Sequence, residues 1–334
     1  MRRAVPSSSA IRGKIKPPSH FKPLVTLPSH DIAGFRTSYF QPQLPVILPR
    51  GHFAQLPAIQ KWFSIHSSSA SAHGSTVLPS TSSLNYTYLE KHSDCSVPVE
   101  FTSSQNPDSP ETPAFQRLYA PLGLFLKWIK TTAPLNADGI APNTNLYLAQ
   151  CQLLDLPPIL RLDFPTPVLV SKAGKGDVYD TNIWMGVPPT YTPLHRDPNQ
   201  NLFVQMAGRK VIRLYAPDTG LRVFERVRQT ILRRQKGDAN ENANVNGITV
   251  SDAKFRGEEM MQGLEKEFLE KEVWGDTMEI GGVDVEGENV SPEMEEGFEA
   301  HLNAGDGMFI PMGWWHSIKG VGEGITASVN WWFR

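Results

Sequence analysis

Cysteine is scarce in this chain: Cys95 and Cys151 are the only two among 334 residues. That excludes a disulfide framework and is too few for a Cys/His zinc cluster; a reducing compartment fits best. An excess of charge of one sign is also absent. The 32 basic and 34 acidic side chains leave a net charge of −2, so nucleic acid is not an expected partner. No apolar run approaches the ~20 residues of a membrane-spanning helix, and no membrane association is expected. Apolar and aromatic residues, by contrast, are plentiful. A hydrophobic content of 40% with 16 Phe and 8 Trp suffices for a sizeable core and argues against wholesale disorder.

Charge and proline divide the chain. Before Asp31 there are six Lys or Arg and no acid. An organelle presequence has that character, but Pro6, Pro17, Pro18 and Pro23 oppose a helical one. A disordered basic tail over 1–39 and a nuclear or cytoplasmic location are the expectation. "PVILPRGHFAQLPAIQKWF" (45–63) reads as a strand, a glycine turn and a short helix. Residues 64–84 read as a Ser-rich loop, and "CSVPVEF" (95–101) alternates like a strand. The apolar spacing of "FQRLYAPLGLFLKWIK" and of "NTNLYLAQCQLLDL" (143–156) predicts two helices, the second stopped by Pro157 and Pro158. Residues 40–179 are thus expected to form a mixed region against a β-rich core at 180–334.

That core is announced by short apolar segments separated by Gly and Pro: "TNIWMGV", "NLFVQM", "KVIRLYA", "GMFIPM" and "ITASVNWWF". Such spacing predicts a mainly β fold, a jelly-roll or barrel. Residues 221–300 interrupt it. Their first part, 221–236, holds six bases and one acid; 238–300 hold 18 acids and four bases. The reading is a long acidic insertion, solvated or engaging a basic partner, with a surface helix marked by Met260, Met261, Leu264 and Phe268.

"TPLHRDPNQN" (192–201) carries the chemistry. His-Arg-Asp followed by Asn has the look of a protein-kinase catalytic loop, which needs the Asn five residues after the Asp. Leu202 stands there, and the glycine-rich loop is missing as well. On a strand, alternation puts His195 and Asp197 on one face, offering a nitrogen and an oxygen to one ion, with Arg196 turned away. A second imidazole would complete a two-His, one-carboxylate set with open positions, as suits Fe(II). His301 and His316 are the downstream candidates. His316, after an apolar strand and a glycine turn in "GDGMFIPMGWWHSI", is the better placed. Lys210 opens the next strand; turned inward it would need an anion, turned outward it would meet solvent.

"TPLHRDPNQNLFVQMAGRKVIRLYAP", "GDGMFIPMGWWHSI" and "ITASVNWWF" together resemble the core of the Jumonji-C, cupin-like oxygenases that use Fe(II) and 2-oxoglutarate. The nearest branch is the small protein hydroxylases, the arginyl-hydroxylase group sometimes described as lysine demethylase 8. The resemblance implies a double-stranded β-helix core with flanking α-helices. It implies His195, Asp197 and His316 as metal ligands, and Lys210 as partner of the distal carboxylate of 2-oxoglutarate, helped by Thr192 and Tyr147. It places Asn201 and Asn330 near the chelating end of that cosubstrate and Trp184 in the substrate wall. Core packing is the alternative for Tyr147 and Trp184. The family also implies O2 as cosubstrate and a tyrosine-bearing helix at "NLYLAQCQLLDLPPIL". Hydroxylation of a protein or peptide side chain is the favoured activity, because no chromatin-reading zinc module is present. N-methyl-lysine demethylation, tRNA-base hydroxylation and a non-enzymatic cupin scaffold are the alternatives. Oligomeric state is not readable from the sequence.

Overall fold

The computed structural model describes residues 20–66, 81–103, 115–137, 144–238, 263–275 and 295–334. Among them the apolar segments found in the sequence assemble into two facing sheets. The smaller runs β1 (Phe21–Pro23), β12 (Gly297–Asn303), β11 (Arg209–Tyr215), β14 (Trp315–Val321) and β9 (Thr190–Arg196). The larger runs β2 (Val46–Ile47), β13 (Gly307–Ile310), β10 (Gln200–Ala207), β15 (Thr326–Phe333), β8 (Val178–Gly186), β7 (Thr144–Gln152), β5 (Ser96–Ser103) and β6 (Gln116–Pro121). A separate pair joins β3 (Phe63–His66) to β4 (Thr81–Leu84). Pairing between core strands is antiparallel; only the short β1 lies parallel to its neighbour. This is the jelly-roll expected from the sequence.

Side-chain alternation explains why the sheets close. Phe203 on β10 faces the smaller sheet and packs with Ile212, Leu214 and Ile318, while Leu202, Val204 and Met206 face the other way. The outer face is covered by helices α1 (Ile32–Phe35), α2 (Pro57–Trp62), α3 (Tyr86–Leu89), α4 (Leu122–Ala137), α5 (Pro158–Arg161) and α6 (Val168–Ala173), so β10 is buried along its whole length. On the far side of the smaller sheet lie α7 (Pro217–Asp238) and α8 (Gly263–Trp274). Gly220 lets α7 approach: a Cβ there would sit 2.2 Å from the Trp315 ring.

One buried carboxylate ties the helical cover together. Asp163 is fully buried and accepts from Lys61 Nζ at 2.5 Å, Trp62 Nε1 at 2.9 Å and the Tyr88 hydroxyl at 2.7 Å. Burial of the ring, and next the hydrogen bond to Asp163 and its charge, push the Tyr88 phenol up to about 12. Asp163→Ala would orphan these donors, and a loss on the order of 3 kcal/mol is expected in denaturant unfolding, with most of it restored by Asn.

Several expectations need correction. Residues 116–121 form strand β6 against β5, so the first expected helix begins only at Leu122. Residues 144–152 form strand β7, not a helix, so Tyr147 lies on a strand. A bulge explains the misleading pattern: between Leu148 and Cys151, β7 spends one residue more than β8, with Gln150 at a positive φ of 49°. Two buried residues thereby fall three apart, as on a helix. The basic tail does not extend to residue 39. Phe21, Leu24, Leu27 and Phe35 are buried, β1 pairs with β12, and Asp31 caps α1 through Ala33 N and Gly34 N; residues 1–19 lie outside the described residues. Finally, the interruption of the barrel runs between β11 and β12, so 297–300 belong to a strand rather than to the insertion. The helix foreseen there exists as α8, but Leu269, Val273 and Trp274 are its buried residues, with Leu264 exposed. Met260 and Met261 lie outside the described residues. The Ser-rich 64–84 stretch contributes strand residues at both ends.

Candidate metal centre

Pro193 shapes the strand that carries His195. Proline lacks the N–H that a ladder requires and is tolerated on edge strands and at bulges; β9 is both an edge and bulged at this point. His195 stands directly across from His316, while Thr192 stands across from Ile318, so Pro193 and Leu194 together oppose Ser317. The Pro193 carbonyl turns toward the His195 ring, 2.8 Å from Nδ1. On β14 the Trp314 carbonyl sits 3.1 Å from His316 Nδ1. A carbonyl can only accept, so in each ring Nδ1 carries the proton and Nε2 offers its lone pair.

The two rings and one carboxylate converge. The imidazole centroids of His195 and His316 are 4.2 Å apart, and His316 Nε2 lies 3.7 Å from Asp197 Oδ2. One donor atom from each of His195, Asp197 and His316 falls within 4.8 Å of the others. Arg196 points the other way and lies over the Trp315 ring at 5.3 Å, as alternation requires. Burial, and next the neighbouring His195, lower the His316 pKa to about 4, against the opposing pull of Asp197. The ring is therefore neutral at pH 7, the state a metal needs. Asp197 Oδ2 accepts from Asn201 Nδ2 at 2.8 Å and from Trp332 Nε1 at 3.2 Å.

These residues fit a divalent ion. Two imidazoles and a carboxylate form a mixed N/O set, and the Nδ1 atoms of both rings are already held by carbonyls. Among the described residues none donates to the buried Asn201 Oδ1; a water held on an ion would supply the missing donor.

Nine residues singled out in the sequence line one cavity: Tyr147, Trp184, Thr192, His195, Asp197, Asn201, Lys210, His316 and Asn330. His301 is elsewhere, exposed on β12 and bonded to Glu299. Lys210, 3% exposed, donates to Ser328 Oγ at 2.7 Å and to the Tyr147 hydroxyl at 3.3 Å. No carboxylate among the described residues pairs with it, and burial lowers its pKa to about 7. Trp184 Nε1 donates to Asn330 Oδ1 at 3.0 Å.

A cupin-like domain profile matches residues 33–334. The chain belongs to the cupin-like domain family. Curated relatives of this cupin-like chain include lysine-specific demethylase 8 of Xenopus tropicalis, 26% identical over 306 residues, covering 90% of this chain and 50% of that protein. Lysine-specific demethylase JMJ30 of Arabidopsis thaliana is 24% identical over 301 residues, covering 90% and 52%. Lysine-specific demethylase 8 of Danio rerio is 45% identical over a shorter stretch of 83 residues, 24% of this chain and 19% of that protein. The cupin-like chain thus spans about half the length of the two relatives that match 90% of it.

Three lining residues of this cupin-like cavity were not found from the sequence: Phe203, Ile318 and Trp332. Ser328, the shorter of the two bonds to Lys210, was missed as well. The signal for two of them was present. Ser328 and Trp332 flank Asn330 at spacings of two on β15 and share its face. Trp332→Phe removes the N–H on Asp197 and keeps the ring. A roughly tenfold weaker divalent-metal affinity is expected by titration calorimetry, as for other outer hydrogen bonds to ligands.

Proposed function

We propose that this protein is a 2-oxoglutarate-dependent oxygenase that hydroxylates a protein side chain. The observation that carries the reading is the pairing, in one cavity, of a two-His, one-carboxylate set with a buried lysine that has no counter-ion among the described residues. His195, Asp197 and His316 would hold Fe(II), and Lys210 would hold the distal carboxylate of 2-oxoglutarate. Bound there, the iron with 2-oxoglutarate and O2 supplies the oxidising power for inserting oxygen into a C–H bond, with succinate and CO2 as co-products.

The protein's own part is binding and exclusion of water. Lys210 is charged by its anion, and Ser328 and Tyr147 orient its ammonium. Thr192 adds a hydroxyl to the same pocket. Asn201 and Trp332 fix the Asp197 carboxylate through Oδ2. Asn330 holds Trp184 by its indole N–H, which makes that ring a fixed wall for the substrate. A protein or peptide is the proposed partner.

N-methyl-lysine demethylation is the second reading, and the names of the relatives favour it. The two part on a simple measurement. With Fe(II) and 2-oxoglutarate, peptides from a cell lysate should gain one oxygen in mass, and methyl-lysine peptides should release no formaldehyde. Formaldehyde from methylated peptides, with no oxygen gain on unmodified ones, would establish the demethylase instead.

A further inference from the structure

Helix α8 of the acidic insertion packs against the sheet that carries the paired imidazoles. Its second half buries Leu269, Val273 and Trp274 against the outer face of that sheet. Trp274 Nε1 donates to Ser317 Oγ at 2.9 Å, and Ser317 Oγ donates to the Thr192 carbonyl at 2.8 Å. Ser317 is fully buried and adjoins His316 in the chain. Two further ties hold the same helix: Arg213 Nη1 donates to the Val273 carbonyl at 2.6 Å, and Glu270 pairs with Lys319 at 2.8 Å.

Where Ser317 sits decides what these contacts do. It occupies the bulge at which β9 and β14 lose register, between the facing histidines and the Thr192–Ile318 pair. Pro193 offers no N–H there, so the Ser317 hydroxyl bridges the two strands in place of a ladder bond. A serine hydroxyl can donate one hydrogen bond and accept others, its hydrogen turning to suit its neighbours. A donor at its oxygen, the Trp274 N–H, leaves the O–H aimed at the Thr192 carbonyl.

We propose that Trp274 is a positioning residue: acting through Ser317, it fixes the β9–β14 bulge and thereby the spacing of His195 and His316. This makes the insertion part of the support of the metal centre rather than a solvated loop. The inference rests on the metal reading above, but the two can fail separately.

The test uses Co(II) alone, titrated into the full chain, with the unfolding midpoint of the metal-free protein measured alongside. Trp274→Phe keeps the ring and removes the donor; Co(II) affinity is expected to fall about tenfold, with an altered visible spectrum of the bound ion. Ser317→Ala should do the same, and Trp274→Phe should cost nothing further in the Ser317→Ala background. Glu270→Gln breaks the Lys319 ion pair on the same helix without touching Ser317 and should leave affinity unchanged. Wild-type affinity in Trp274→Phe, full additivity with Ser317→Ala, or an equal loss in Glu270→Gln would overturn the proposal. A wild-type chain that binds no Co(II) would strike down the metal reading and this inference with it; a wild-type chain that binds while the variants bind equally overturns this inference alone.

Discussion

Asp197→Asn is expected to reduce succinate release to background while leaving the metal-free protein as stable as before. Both hydrogen bonds to this carboxylate end on the same oxygen, Oδ2. An amide oxygen in that place keeps the Asn201 and Trp332 contacts, so the substitution removes the charge and the anionic ligand and little else. Affinity for Fe(II) should fall by more than about a hundredfold, beyond what outer hydrogen bonds to a ligand contribute. Asp197→Ala would lose metal equally but would also orphan two donors, at about 1–3 kcal/mol of stability. The pair of variants therefore separates ligation from folding. Calorimetric titration with Fe(II) under anaerobic conditions, and the metal-induced shift in unfolding midpoint, are the readouts. Metal-stimulated succinate release that survives in Asp197→Asn would mean that the three donors do not hold the iron.

Several of these positions were legible in the sequence because strands repeat every two residues. His195 and Asp197 share a face for that reason alone, and the outward turn of Arg196 onto Trp315 follows from the same alternation. Asn330 was reached by resemblance, yet its neighbours Ser328 and Trp332, of equal parity, were not singled out. Local pattern failed where the chain departs from regular repeats. The β7 bulge mimics a helical period, and nothing in the sequence around Gln150 announces its positive φ. Strand β1 escaped because its partner, β12, lies more than two hundred residues away, with Phe21 aligned on Gly297. A proline-bearing segment that forms few local contacts gives no sign of such a pairing. The buried face of α8 was misplaced for a related reason. Leu269, Val273 and Trp274 are selected by what the barrel offers, the Ser317 hydroxyl and the Arg213 guanidinium, rather than by their own spacing. The same limit applies to Pro193: as a residue it signals a break, but only the facing strand shows that the break lies next to the pair of facing imidazoles.

Lys210→Met should make the protein more stable and useless as an enzyme at the same time. A buried ammonium with no counter-ion opposes folding, and burial brings Lys210 from its ordinary 10.5 to about 7. The folded pKa is the lower one, so the destabilisation is fully present below pH 7 and fades as pH rises toward 10.5. Methionine fills similar volume without the charge. At pH 7 the variant should gain ~2–4 kcal/mol in denaturant unfolding; the loss of partners for Ser328 and Tyr147 offsets part of a larger shift. The advantage should shrink with rising pH, because only the wild-type chain sheds its penalty. Cosubstrate binding runs the opposite way. A dicarboxylate recruits the charged form of Lys210, so wild-type affinity for 2-oxoglutarate should weaken above pH 7, by up to about tenfold per pH unit. In Lys210→Met it should be weak and flat with pH. A variant less stable than wild type at neutral pH, or one that binds 2-oxoglutarate normally, would show that Lys210 is not the seat of the anion.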